Sequence, residues 1–364
     1  MSTSSSTSEA TDSPASVARR PAPGGIAALT ATEGLAALEQ GKLSCEAWAR
    51  ACLERIEERN GGVKAWVRVD AEGALARARA WDRHGRRNPL DGVPLGIKDT
   101  IDTADMLTEL GDPEIFPGRQ PRADAPVVTQ ARELGFNVLG KNTVSRHAIM
   151  LPGPARNPHD LSRTPAASSA GSAAAVADFM APLSIGTQTA GSILRPSAFC
   201  GAVGFKPTLD AIPYVAIRRY SRVLDVIGPI SRSVDDAALF MRAFTGDPRF
   251  DPASALRSDF RVGVWRPKDW ADTEPCMRDS FEANLRALSA AGVQVTELVM
   301  PPAFDTMGEA QDVIMAYDLA REYAAIKRDH AALCDPGLIE YLTMGEGLSA
   351  ADYAGALDAA DACR

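Results

Sequence analysis

Residues 168–192 decide how this chain is read. They begin with Ser168-Ser169-Ala170-Gly171-Ser172 and end with Gly186-Thr187-Gln188-Thr189-Ala190-Gly191-Ser192. Between these segments, Ser172 to Met180 is Ala-rich and predicts a helix with small side chains, and Pro182 to Thr187 predicts a buried strand. A helix feeding a buried strand is a unit of α/β type. Small residues stand at both ends of the unit. Directly before the helix, they let backbone approach a ligand, and the helix N-terminus offers free N–H groups. A plain serine cap explains the same residues. After the strand, Thr189-Ala190-Gly191-Ser192 leaves successive N–H groups uncovered, a nest able to hold an oxyanion. A tight strand-to-loop turn is the alternative.

Upstream, Val93-Pro94-Leu95-Gly96-Ile97-Lys98-Asp99-Thr100 contains a short apolar segment, Leu95-Gly96-Ile97, that predicts a buried strand ending at Lys98. Lysine in a water-poor pocket loses basicity because desolvation disfavours its charged form. A neutral amine can then accept a hydroxyl proton. Taken alone, Lys98 reads better as an ordinary surface lysine. No histidine lies in any of these three segments, and Ser-Lys pairs are a known variant of the Ser-His-Asp solution.

The same alternation extends outward. Thr30 to Gln40 reads as a helix, and Ser44 caps a second helix to about Asn60, with Gly61-Gly62 as its stop. Ala65 to Val69 alternates like a strand, and Ala71 to Arg83 is helical. Ala125 to Leu134 is a helix and Phe136 to Leu139 a strand. Pro152 to Ala167 is loop, and residues 201–230 mix short strands and turns. Ser233 to Thr245 is a helix whose Asp235-Asp236 favours its N-terminal end. Phe260 to Trp265 and Val293 to Leu298 read as strands around a helix from Met277 to Ala291, and the chain from about Thr306 is mostly helical. The pattern predicts an α/β fold with a mixed sheet. Residues 1–25 are rich in Ser, Thr, Ala and Pro and predict a disordered tail. No linker divides residues 26–364, which predicts one domain.

Composition narrows the function. The 364 residues are 45% hydrophobic and 24% charged, in the range of globular proteins, and the formal net charge is −8. That charge argues against nonspecific nucleic-acid binding, which needs a basic face, and against attachment to an anionic membrane. No apolar run reaches the length of a membrane span, and no secretory signal is readable. Six cysteines and four histidines are scattered without metal-ligand spacing. Reduced thiols fit a cytoplasmic protein.

Together the motifs resemble the amidase signature family. The resemblance runs from about Leu90 to Pro207 and continues more weakly to about residue 300. It is carried by Gly92-Val93-Pro94-Leu95-Gly96-Ile97-Lys98-Asp99, the serine-rich 168–172, the segment ending at Ser192, and Phe199-Cys200-Gly201-Ala202-Val203-Gly204-Phe205-Lys206-Pro207-Thr208. It implies the amidase signature fold, a central mixed sheet covered by helices on both faces. It also implies a Ser-cisSer-Lys triad, with Ser192 as nucleophile, Ser168 as bridging serine after a cis peptide, and Lys98 as base. The N–H groups of Thr189, Ala190, Gly191 and Ser192 would form the oxyanion hole. No metal or organic cofactor is implied. Gln188 to Pro196 looks like the malonamidase-like branch, in which Arg195 faces a substrate carboxylate; a structural ion pair is the alternative role. The implied partner is a small-molecule amide, and the resemblance suggests that an isolated chain dimerises.

This sequence departs from the family pattern at several places. Ala166-Ala167 stand where Gly-Gly is usual, Ala170 replaces a serine, and Arg146-His147 replace an acidic-aromatic pair. Family members continue past a helix like Asp352 to Ala362, so Arg364 would end a shortened chain. Besides an amide hydrolase, two readings stay open. One is the amidase subunit of a tRNA-dependent amidotransferase, disfavoured by Gln188 where aspartate is commoner. The other is an inert assembly subunit, favoured by the alanines and the short C-terminus.

Overall fold

Strands buried from end to end set the architecture. In β2 (Pro94–Lys98), β3 (Asn137–Asn142), β4 (Leu183–Gln188) and β6 (Val226–Ser231), every residue is buried. A strand with both side-chain faces buried needs cover on both faces of its sheet. These strands, with β1 (Trp66–Val69) and β5 (Val203–Gly204), form a sheet in the order β1-β3-β2-β4-β6-β5. β2 runs parallel to β3 and β4, whereas β1–β3, β4–β6 and β5–β6 are antiparallel, so the sheet is mixed as expected. The computed structural model of the chain describes residues 24–149, 151–251 and 260–364. The expected tail at 1–25 lies outside the described residues, apart from Gly24 and Gly25.

The covering helices follow the capping signals. Thr30 and Glu33 form a capping box at the start of α1 (Ala31–Glu39), and Ser44 caps α2 (Cys45–Val63). α2 runs through Gly61-Gly62 rather than stopping there. Lys64 ends it in a left-handed conformation, and the Asn60 side chain brackets both the N–H and the carbonyl of Trp66. The tertiary tie to β1 thus outweighs the helix-breaking tendency of glycine. α3 (Ala71–His84), α4 (Pro126–Glu133) and α5 (Ala170–Ala177) lie close to their expected positions.

α6 (Leu194–Cys200) is a helix that sequence pattern does not announce. It is seven residues long, carries Pro196 and exposes Leu194 and Phe199, so its pattern has no clear helical period. Ser233 caps α7 (Val234–Thr245). Asp236 does more than favour its own helix. Its carboxylate accepts the Ala31 and Thr32 N–H groups at 3.1 and 2.9 Å and so anchors the start of α1. The core beside the sheet is built on Trp48, Leu95, Ile97, Phe136, Leu183, Ile185 and Phe240.

β7 (Arg261–Val264) and β8 (Gln294–Glu297) pair in parallel as a separate two-stranded sheet, joined by α8 (Pro275–Ala290), which buries none of its residues. The expected strands are present but do not extend the main sheet. The C-terminal helices α9 (Met307–Glu322), α10 (Ala324–His330), α11 (Pro336–Gly347) and α12 (Ala350–Ala362) follow. Leu319, Tyr323, Leu338 and Leu342 pack against Val144, Ala148 and Tyr220, beside the site described next.

Candidate active site

The parallel pairing of β2 with β4 sets Leu95 beside Leu183 and Ile97 beside Ile185. The carboxyl ends of both strands therefore open on the same edge, where ligands bind in open α/β sheets. Lys98 ends β2 and is fully buried. Its Nζ lies 2.7 Å from Ser168 Oγ and 2.7 Å from Thr187 Oγ1, and 3.3 Å from the Thr187 carbonyl. Burial pushes the amine down to about 7, with Asp225 acting in the opposite direction.

Ser168 sits in the turn before α5. The Ser169 hydroxyl donates to the Thr187 carbonyl at 3.0 Å, which fastens this turn to β4. Gly171 lets α5 close on the end of β3, since a Cβ there would meet the Thr143 backbone at 2.5 Å. Among the described residues no peptide bond is cis, so the bond before Ser168 is trans and corrects the expected cis peptide. The chain instead reverses through Ala166 and Ala167, both left-handed with φ of 65° and 47°. That conformation suits glycine and strains alanine, by about 1–2 kcal/mol per residue.

Ser192 lies in the loop between β4 and α6. Gly191 has φ of 98°, and a Cβ there would meet Arg195 Nε at 2.7 Å, so only glycine fits easily. The Gln188 side chain holds the loop closed: its Oε1 accepts from Ile193 N at 2.9 Å and Leu194 N at 3.1 Å, satisfying the free amides that open α6. The N–H groups of Thr189, Ala190, Gly191 and Ser192 donate to no protein acceptor among the described residues. Ser192 faces a small cavity of 50 Å³ with Ala148, Ile149, Thr189, Ala190, Arg195 and Tyr220. Arg195 is exposed, bonds the Ala190 carbonyl at 2.7 Å and pairs with no carboxylate among the described residues.

The structure thus joins Lys98 to Ser168 and brings Arg195 to the same cavity as Ser192. It does not join the two serines, for no hydrogen bond links Ser168 to Ser192 among the described residues. Sequence reasoning missed Thr187, Ser169 and Asp225. Asp225 is buried and receives Thr189 Oγ1 at 2.6 Å and the N–H groups of Tyr220 and Ser221 at 2.8 and 3.1 Å. Burial pushes it up to about 6, although these three bonds oppose the rise. Its one sequence signal is a lone acid immediately before a mostly apolar buried strand. Arg146 and His147 flank the site: Arg146 bonds Glu114 and the Leu333 carbonyl, and the buried His147 has a left-handed backbone.

The motif order agrees with what comparison shows. The family model described as Amidase matches residues 47–340. The chain belongs to the amidase signature family. Among curated proteins, it is 40% identical over 296 residues to a glutamyl-tRNA(Gln) amidotransferase subunit from Acidothermus cellulolyticus, covering 75% of this chain and 58% of that one. The protein of the same name from Thermobifida fusca is 36% identical over 297 residues, covering 75% and 59%. The chain therefore spans under two thirds of the length of these relatives. Among solved structures, the native peptide amidase of Stenotrophomonas maltophilia superposes with a TM-score of 0.77 at 29% identity, covering 90% of this chain and 78% of that one. A second amidase crystal structure gives a TM-score of 0.82 at 29% identity, covering 92% and 78%.

Proposed function

We propose that this protein hydrolyses the C–N bond of small amides through a serine acyl-enzyme. The observation that carries the proposal is the fully buried Lys98 amine, 2.7 Å from the Ser168 hydroxyl, which burial lowers to about 7 so that a large share of it is neutral near pH 7. Ser192 Oγ attacks the amide carbonyl. Its proton passes to Ser168 Oγ as the Ser168 proton passes to Lys98 Nζ. The oxyanion rests on N–H groups of residues 189–192, which are preorganised to receive it. The proton then returns along the same path to the nitrogen as the C–N bond breaks and the amine departs. Water releases the acid from Ser192 by the same relay. The Ser168–Ser192 contact closes on substrate binding, as catalytic hydrogen bonds that are long in a free enzyme tighten in the complex.

Arg195 supports a substrate that also carries an acid group, because its guanidinium borders the Ser192 cavity without a carboxylate partner. A place in the cytoplasm is supported by six free cysteines, and no described helix is long and apolar enough to cross a membrane. The second reading is a component of an amidotransferase. It is favoured by the names of the curated relatives and would show ammonia transfer only with partner chains.

A fluorophosphonate probe tests the mechanism. It should label the wild-type protein at Ser192, and Ser192→Ala should abolish both labelling and amide hydrolysis. A folded wild-type protein that never labels would leave the inert assembly role as the better account. For Arg195→Ala, hydrolysis should fall selectively on carboxylate-bearing amides; an equal fall on neutral amides would remove Arg195 from substrate recognition.

A further inference from the structure

The buried carboxylate of Asp225 has no place in the serine-lysine relay, yet it touches the loop that relay depends on. Its Oδ1 accepts the Thr189 hydroxyl at 2.6 Å, and its Oδ2 accepts the N–H groups of Tyr220 and Ser221 at 2.8 and 3.1 Å. It thereby binds together two segments that line the Ser192 cavity, the one at 189–192 and the one carrying Tyr220. We propose that Asp225 is a positioning residue for amide hydrolysis, holding the oxyanion-binding N–H groups of 189–192 in place through Thr189. This rests on the serine mechanism proposed above.

The physical need is specific. The 189–192 segment has no backbone hydrogen bond of its own to fix its amides. Gln188 anchors only its far end, at Ile193 and Leu194. Arg195 donates to the Ala190 and Gly191 carbonyls at 2.7 and 2.8 Å, but among the described residues only the Thr189 hydroxyl ties the near end to a separate segment of the chain. Donors that bind an oxyanion act only when they are already aimed at it, and small losses of alignment cost rate steeply.

Substitution tests the tether. Thr189→Val keeps the shape and removes the tether. Thr189→Ser restores the hydroxyl. Asp225→Asn keeps hydrogen bonds available, with its carbonyl oxygen facing the Tyr220 and Ser221 amides and its NH₂ donating to Thr189, but removes the charge. The readout is the rate of fluorophosphonate labelling as a function of pH, with thermal unfolding measured on every variant.

Thr189→Val should slow labelling by about 10-fold or more with its pH dependence unmoved, and Thr189→Ser should recover most of the rate. Asp225→Asn, which keeps the Thr189 bond, should label within a few-fold of wild type. Labelling of folded Thr189→Val at the wild-type rate, or a Thr189→Ser variant no faster than Thr189→Val, overturns the tether. Ser192→Ala serves as the control: persistent labelling there refutes the serine mechanism itself, whereas its loss beside an unaffected Thr189→Val refutes only the role given to Asp225.

Discussion

Two lysines stand on neighbouring strands of one sheet, and their surroundings differ in a single respect. Lys98 ends β2, and Lys141 lies on β3 opposite Ile97. Both side chains are fully buried. Lys141 meets the Ile101 carbonyl and Thr108 Oγ1 at 2.6 Å each, and a carboxylate, Asp99, at 3.4 Å. Lys98 meets two hydroxyls and a carbonyl, with no carboxylate in contact. Burial lowers both amines, Lys98 to about 7 and Lys141 to about 8, and Asp99 holds Lys141 the higher. Burial alone therefore does not make a base. What sets Lys98 apart is a hydroxyl partner in place of a carboxylate, at the sheet edge where a substrate can reach the relay.

The sharpest way to break this contrast is to remove each amine in turn. Lys98→Met should slow fluorophosphonate labelling by about 100- to 10,000-fold, the usual worth of a positioned base. The fold should survive, because no buried carboxylate in contact loses its partner. Labelling near the wild-type rate would make Lys98 one more buried lysine. Lys141→Met should instead destabilise the fold by about 3–5 kcal/mol, since Asp99 is left buried without its counter-charge. Denaturant unfolding measures that loss, and the folded fraction should label within a few-fold of wild type. The double variant Lys141→Met/Asp99→Asn should recover much of the stability.

The pH dependence of stability sharpens the contrast further. Folded Lys98 titrates near 7, against about 10.4 for an exposed lysine. Between those values the unfolded chain holds the extra proton, so stability should rise with pH through this window and level off on either side. For Lys141 the window opens later, near 8. Raising pH from 7 to 9 should therefore stabilise wild type relative to Lys98→Met, by on the order of 2 kcal/mol. A stability difference between the two proteins that ignores pH would falsify a neutral Lys98. The smallest effect concerns the turn before Ser168. Ala167→Gly should raise stability by about 1 kcal/mol by relieving the left-handed alanine, as read from the unfolding midpoint.

Much of the architecture was legible because burial writes itself into local pattern. The apolar segments before Lys98 and before Thr189 are strands with every residue buried. The serine and threonine caps mark helix starts at Thr30, Ser44 and Ser233. Misreadings came where a side chain bonded backbone five or six residues further on and overruled the local preference. Asn60 and Lys64 carry α2 past two glycines, and α6 forms without a clear apolar period because Gln188 satisfies its first amides. The β7–β8 pair read correctly as strands, but pattern alone does not say which sheet a strand joins.

Residue types and their order were enough to recognise the family and to put forward Lys98, Ser168, Ser192 and Arg195 as candidates, because chemistry demands particular side chains and small neighbours at particular steps along the chain. Tertiary structure alone decided the rest. It chose Lys98 over Lys141 as the amine beside a serine, turned Arg195 onto a backbone carbonyl at the edge of the cavity, and placed Asp225 against Thr189, 36 residues away. Basicity and loop geometry depend on what lies within a few ångströms, and in a sheet with crossover connections those neighbours come from distant parts of the chain.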